Sequence, residues 1–233
     1  METNNLTEKF NAPTADSPPP VPLARAMEIF DQVADTEEIA FGYADDGCYA
    51  RAHLMCRQLQ QMGLTPKKAW AFEGKPNYLS VEIAGRKHRW WFHMAPTLTV
   101  QMQDGAVEDM VFDPGLFDGP VSLKEWGEIM KAPPEKIQIT AFDAPPAGYK
   151  GAYAPNDEIS SDSDEKAKKT MTEYLKFQST EPRKVFVSQS RQQISQTQNI
   201  QSRIQGKTWV TVSADSMKAT PVKKNPESGW CDY

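Results

Sequence analysis

DDGCYARAHLMCRQLQQMG, residues 45–63, reads as one helix. Asp45, Asp46 and Gly47 supply helix-start chemistry, and Gly63 stops the pattern. Tyr49, Ala52, Leu54, Met55 and Leu59 recur at helical spacing and give the helix a face to bury. From Lys67 onward the period changes to two. KKAWAFEG (67–74), YLSVEIAG (78–85), HRWWFHMAPTLTVQ (88–101) and AVEDMVFD (106–113) are each short and β-rich. Between them Gly74-Lys75-Pro76-Asn77, Gly85-Arg86-Lys87 and Gln103-Asp104-Gly105 fit hairpin connections. A helix followed by an antiparallel meander is an α+β layout.

Working outward, LARAMEIFDQVA (23–34) has helical spacing through Met27, Ile29, Phe30 and Val33. Ser122 caps a helix in SLKEWGEIMK, with Glu125 completing a capping box, and Ile137–Phe142 is a further strand. These boundaries predict a disordered leader over 1–21, one domain over 22–144, an acidic Pro/Gly-rich linker over 145–165 and a basic region over 166–233. Within the last, EKAKKTMTEYLKF (165–177) has helical spacing and TWVTVS (208–213) reads as a strand. The Gln- and Ser-rich run 188–205 fits either an exposed helix or disorder.

Composition narrows the function. Residues 1–165 hold 14 Lys+Arg against 26 Asp+Glu, whereas 166–233 hold 12 against 5. The basic region is therefore expected to meet an acidic partner, the plainest being the chain's own acidic half. No fold motif or aromatic interleaving in it suggests nucleic acid. No apolar run is long enough to span a membrane. The polar first 20 residues lack a signal-peptide core, so the expected location is the cytoplasm, or outside by a non-classical or effector route. Three cysteines, an odd and sparse set, argue against a disulfide framework. No Cys/His cluster has zinc-ligand spacing, and no metal or cofactor is expected.

Three residues carry chemistry. Cys48 stands at a helix start, where exposed N–H groups stabilise a thiolate and, equally, an oxyanion. His93 lies within the strand WWFHMAP, where an unpaired imidazole would be costly. Asp113 ends the run MVFDPG, with Pro114 stopping the strand behind it. A carboxylate there can accept the imidazole N–H and fix its tautomer. Strand alternation places Trp91 and Ala95 on the face of His93, and Trp90, Phe92 and Met94 on the other. Trp91 is therefore the candidate wall of a substrate slot, and Tyr49, beside the nucleophile, a second substrate-binding candidate. His53 reads as packing, His88 as a solvated turn residue, Arg51 as the partner of a carboxylate, and Cys56 as buried and inert.

The order helix-start Cys, mid-strand His, strand-end Asp is that of papain-like and transglutaminase-like enzymes. DGCYARAHLM (46–55), WWFHMAP (90–96) and VFDPGLF (111–117) together resemble the protein-glutaminase family, bacterial enzymes that deamidate glutamine side chains in proteins. The resemblance covers about residues 40–120. It implies a papain/transglutaminase-like core with the helix-start cysteine packed on an antiparallel sheet, and Cys48, His93 and Asp113 as its triad. It further implies a protein-glutamine deamidase, a hydrolase working through a Cys48 thioester on a protein substrate with an exposed glutamine; separately, the polar leader, the missing signal-peptide core and the unmatched tail suggest an effector or toxin. Two departures stand out: Gly115 occupies a position where the family favours serine, and no signal peptide or propeptide is legible. The same triad also serves a transglutaminase or a cysteine protease, and a non-catalytic binding module is the alternative from another class.

Overall fold

The computed structural model describes residues 18–73, 78–142, 161–178 and 183–204. LARAMEIFDQVA forms α1 (Leu23–Ala34), which buries Leu23, Ala26, Met27, Ile29, Phe30 and Val33 along one stripe. Before it, β1 (Val21–Pro22) is the first element. The cysteine-bearing run forms α2 (Cys48–Gln61). Its C-terminus closes as a Schellman turn: Leu64 N–H donates to Leu59 O and Gly63 N–H to Gln60 O, with Gly63 at φ 77°.

The strands are β2 (Lys67–Phe72), β3 (Leu79–Ile83), β4 (Arg86–Trp90), β5 (Phe92–Gln101), β6 (Val107–Val111), β7 (Val121–Ser122) and β8 (Ile137–Ala141). The main sheet has the antiparallel order β7-β6-β5-β2-β8, and β1 pairs in parallel with the end of β5. One expectation fails here. HRWWFHMAPTLTVQ is two strands, because the chain bends at Trp91 and leaves β4 to pair with β3 in a separate two-stranded sheet. The turn of that hairpin is Ala84-Gly85, both at positive φ, so Arg86 and Lys87 belong to the strand. Asp104-Gly105 does turn the chain between β5 and β6, with Gly105 at φ 90° and Ala106 N–H bonded to Asp104 Oδ1. The expected connection at 74–77 lies outside the described residues.

Each face of the sheet buries its own core. On one side α1 and α2 pack through Phe30, Ala50, Met55 and Leu59 against Leu98, Val100, Met110 and Phe112. On the other, Ala69, Ala71, Ala95 and Val111 meet the β3–β4 hairpin and α3 (Leu123–Met130), whose Trp126 and Met130 are fully buried. Ser122 caps α3 through Glu125 N–H, as read from the sequence. The return half of the capping box is not made with the Ser122 backbone; the Glu125 carboxylate accepts from Gln189 N–H.

The region after residue 160 completes this core. α4 (Ser161–Leu175) begins four residues ahead of the helical run read from the sequence and inserts Ala167 and Met171 beside α1 and α2. The stretch from Arg183 leads into α5 (Gln189–Ile204), so the Gln-rich run is helical. Chain contacts divide into two units between Ser195 and Gln196, and α4 and residues 183–195 fall in the first, with the sheet. Among the described residues, no helix is long and apolar enough to cross a membrane. The expected linker up to residue 160 and the strand at 208–213 lie outside the described residues.

Candidate active site

Cys48 is the first residue of α2, preceded by Gly47 at φ 83°, and no side chain caps this terminus. Asp46, which could have done so, instead accepts from the adjacent Gly47 N–H through Oδ1 and from the Tyr174 hydroxyl through Oδ2. No side-chain cap takes up the first-turn amides, at the helix end whose dipole favours an anion.

The loop leading into the nucleophile is held from four sides. Arg51 donates to the carbonyls of Tyr43 and Asp46, each at 2.9 Å, and to that of Ala40 at 3.4 Å. Its expected carboxylate partner is replaced by backbone, which suits a guanidinium returning from its own helix over the preceding turn. Trp90 Nε1–H donates to Ala44 O at 2.8 Å. His88, expected in solvent, is buried in β4 with Nδ1 2.8 Å from Asp45 Oδ1. From α4, Tyr174 closes over Gly47: a Cβ there would lie 2.6 Å from the tyrosine ring.

His93 is the second residue of β5, paired across the sheet with Ala71. The β5–β6 ladder ends at Thr97 and Val111, so Asp113 continues past the ladder into the space beside His93. Asp113 Oδ2 lies 2.8 Å from His93 Nε2 and accepts Trp126 Nε1–H at 2.9 Å. With Nε2 so engaged, Nδ1 is the ring atom left for Cys48, whose thiol interacts with the imidazole. Nδ1 itself is buried without a nitrogen or oxygen partner. Cys48, His93 and Asp113 are 6%, 3% and 6% exposed, so the centre is almost closed to water.

The electrostatics follow from that burial. Desolvation lowers the basicity of His93, but the Asp113 carboxylate outweighs it through charge and hydrogen bond, and Cys48 adds to the effect. The result is a pKa raised from 6.5 to about 9. Burial alone would raise Asp113, yet His93, the Trp126 N–H and the nearby Arg51 charge hold it below the ordinary carboxylate value.

Sequence reasoning names the three groups that the fold brings together and misplaces their surroundings. The bend at Trp91 breaks the alternation. Trp90 therefore stacks on His93, with ring centres 4.8 Å apart, while Trp91 is 65% exposed beside Tyr78. Tyr49 is half-buried, and its hydroxyl bonds to Thr170 and Tyr174 of α4. His53 is fully buried with Nε2 2.6 Å from Asp164 Oδ1, which also accepts from Arg57, so it ties α2 to α4. The sequence does not single out Trp126. Its one local signal is a tryptophan on the apolar stripe of a capped helix, which marks burial and not the atom it will meet. At Gly115, a Cβ would sit 3.4 Å from Asp113 Oδ1, so a serine there would bring its hydroxyl to the carboxylate. Among the described residues, no group of three Cys, His, Asp or Glu is placed to hold a metal.

The fold and this centre define an α+β protein with a papain-like core. The model of the glutaminase family matches residues 26–130, the stretch that carries Cys48, His93, Asp113 and Trp126. Over that stretch the chain is similar to the glutaminase family. Among solved structures, the crystal structure of protein-glutaminase superposes with a TM-score of 0.54 at 21% identity, covering 70% of this chain and 92% of that one. The NMR structure of protein-glutaminase from Chryseobacterium proteolyticum gives 0.55 at 21% over the same shares. The crystal structure of pro-protein-glutaminase gives 0.55 at 20%, covering 75% of this chain and 65% of that one. At such identities these likenesses bear on the fold. No curated protein matches the chain.

Proposed function

We propose that the chain is a protein-glutamine deamidase in which Cys48 is the nucleophile, His93 the acid–base and Asp113 its orienting carboxylate. The observation that carries the reading is the buried His93–Asp113 pair meeting a helix-start cysteine, within the stretch that matches the glutaminase family. His93 holds the proton taken from Cys48, and the thiolate attacks the carboxamide carbon of a substrate glutamine. First-turn amides of α2 stabilise the oxyanion. As the intermediate collapses, the C–N bond breaks and His93 delivers its proton to the leaving ammonia. The neutral imidazole then takes a proton from water, whose oxygen attacks the thioester. The C–S bond breaks, the thiolate returns, and the side chain leaves as glutamate.

A centre only a few per cent exposed suits a slender, unbranched carboxamide better than a backbone peptide, which needs an open cleft on both sides. The reading is tested by ammonia release from a denatured, glutamine-rich protein, with intact mass followed in parallel. Ammonia and a gain of about one dalton per site, both absent in Cys48→Ala, are expected, because removing the nucleophile leaves no covalent route. Cleaved chains, or amine-linked glutamines when an amine is supplied, would replace this reading with protease or transglutaminase. The basic region finds its acidic partner within the chain in this reading, beginning with Arg191, which pairs with Asp31 of α1.

A further inference from the structure

The glutaminase match ends at residue 130, yet the loop that carries Asp113 is not held by that stretch alone. Within that stretch the Leu116 and Phe117 amides donate to the Asp113 carbonyl, Phe112 N–H donates to Pro96 O, and His93 and Trp126 meet the carboxylate. Further restraint on the loop beyond Asp113 arrives from residues 183–191. Arg183 donates from Nη1 to Pro114 O at 2.8 Å and from Nη2 to Ala34 O at 3.1 Å, with its guanidinium over the Phe41 ring at 5.1 Å. Phe186 N–H donates to Leu116 O, and Asp118 N–H returns the bond to Phe186 O, forming a short parallel bridge. Ser188 N–H donates to Asp118 Oδ1, Ser190 Oγ–H to Pro120 O, and Arg191 to Asp118 O. The fit is close, because a Cβ on Gly119 would lie 2.5 Å from Ser188 Oγ.

The position of Arg183 within this clamp matters for chemistry. Pro114 O is the carbonyl of the residue after Asp113, so the guanidinium fixes the backbone one residue beyond the one that carries the carboxylate. Its second anchor, Ala34 O at the end of α1, ties that point to the core. The carboxylate must reach His93 Nε2 within hydrogen-bond distance, and a shift of about 1 Å is enough to degrade a catalytic geometry markedly.

We infer that Arg183, outside the family's matching stretch, is a positioning residue for Asp113 and through it for the His93 imidazole. The inference rests on the assignment of that dyad to the acid–base role, but its test does not need turnover. Arg183→Met keeps the aliphatic stem and removes both donors. The readouts are the NMR titration of His93 and the pH profile of Cys48 alkylation by iodoacetamide, which both work whether or not the protein deamidates anything. With Asp113 loosened, the His93 titration is expected to move down from about 9 by about one unit, a tenfold change in its proton affinity. Where deamidation is measurable, kcat should fall about tenfold with KM little changed. Arg183→Lys, which keeps the charge but spans one carbonyl at a time, should give a smaller shift. Val33→Ala, a core truncation in α1, controls for lost stability and should lower Tm without moving the titration. A His93 titration in Arg183→Met that matches the wild type, whatever its Tm, overturns the inference. If that variant does not fold, an unchanged titration in Arg183→Lys does the same.

Discussion

Asp113 and His93 meet through one pair of atoms, Oδ2 and Nε2 at 2.8 Å, and the same oxygen receives the Trp126 N–H. A carboxylate so shared is fixed in direction by a strand residue and a helix residue at once. It lies with its partner in a centre almost closed to water, where a charge interaction is strong.

Replacing Asp113 by Asn tests the charge. The His93 pKa is raised by the carboxylate against the opposing effect of burial. A raised pKa stabilises the fold most below the ordinary histidine value, and that contribution disappears as pH rises through about 9. In Asp113→Asn the imidazole should titrate well below 9, and the loss of stability and of turnover at alkaline pH should begin correspondingly earlier. Turnover at neutral pH should fall by about 10²–10⁴, as when an orienting carboxylate is neutralised elsewhere. NMR titration of His93 with pH-dependent unfolding measures both; an unmoved titration removes Asp113 from the role.

Trp126→Phe separates the N–H from the ring. The phenyl ring is smaller than the indole, so the loss joins one hydrogen bond to a buried carboxylate, about 1.5–3 kcal/mol, to the cost of a small cavity in a fully buried site. Urea unfolding should show it. Asp113 should also titrate closer to its ordinary value, because one of the groups holding it down is gone. Stability equal to the wild type would mean that the bond adds nothing net.

Gly47 is required twice, by its φ of 83° and by the Tyr174 ring against it. Gly47→Ala should lose roughly 1–2 kcal/mol from backbone strain alone, with the clash added. Tyr174→Ala removes the clash and leaves the strain, so Gly47→Ala should cost less in the Tyr174→Ala background than in the wild type. Denaturant unfolding of the four proteins in the cycle decides it, and full additivity would place the ring away from Gly47.

Thiol chemistry should divide Cys48 from Cys56. Cys56 is fully buried, and burial pushes its thiol well above the ordinary range despite Lys68 and Arg57 nearby. Peptide mapping after brief iodoacetamide treatment of the native protein should find Cys48 modified and Cys56 intact, with Cys56 modified only in denaturant. Equal labelling in the native protein would show that α2 opens far more readily than its packing implies.

Local signals were enough for most elements. α1, α2, α3 and β8 follow from apolar spacing, Gly63 and the Ser122 cap, because helix and strand periods are properties of neighbouring residues. The same signals located Cys48, His93 and Asp113 in their elements. They failed at Trp91, where continuous β propensity hides a bend that comes from joining two different sheets. From that error followed the wrong neighbour for His93, since Trp90 and not Trp91 stacks on it.

By itself, then, the sequence determined the α+β class, the helix that presents the cysteine, and the residue types of the centre. Tertiary structure alone decided what surrounds them: Trp126 on Asp113, Arg51 on three carbonyls, His88 on Asp45, and the docking of 183–191 against the loop after Asp113. The reason is physical. A helix or strand is written in contacts three, four or two residues apart. A buried donor, in contrast, takes whichever acceptor the completed packing sets within about 3 Å, at any distance along the chain.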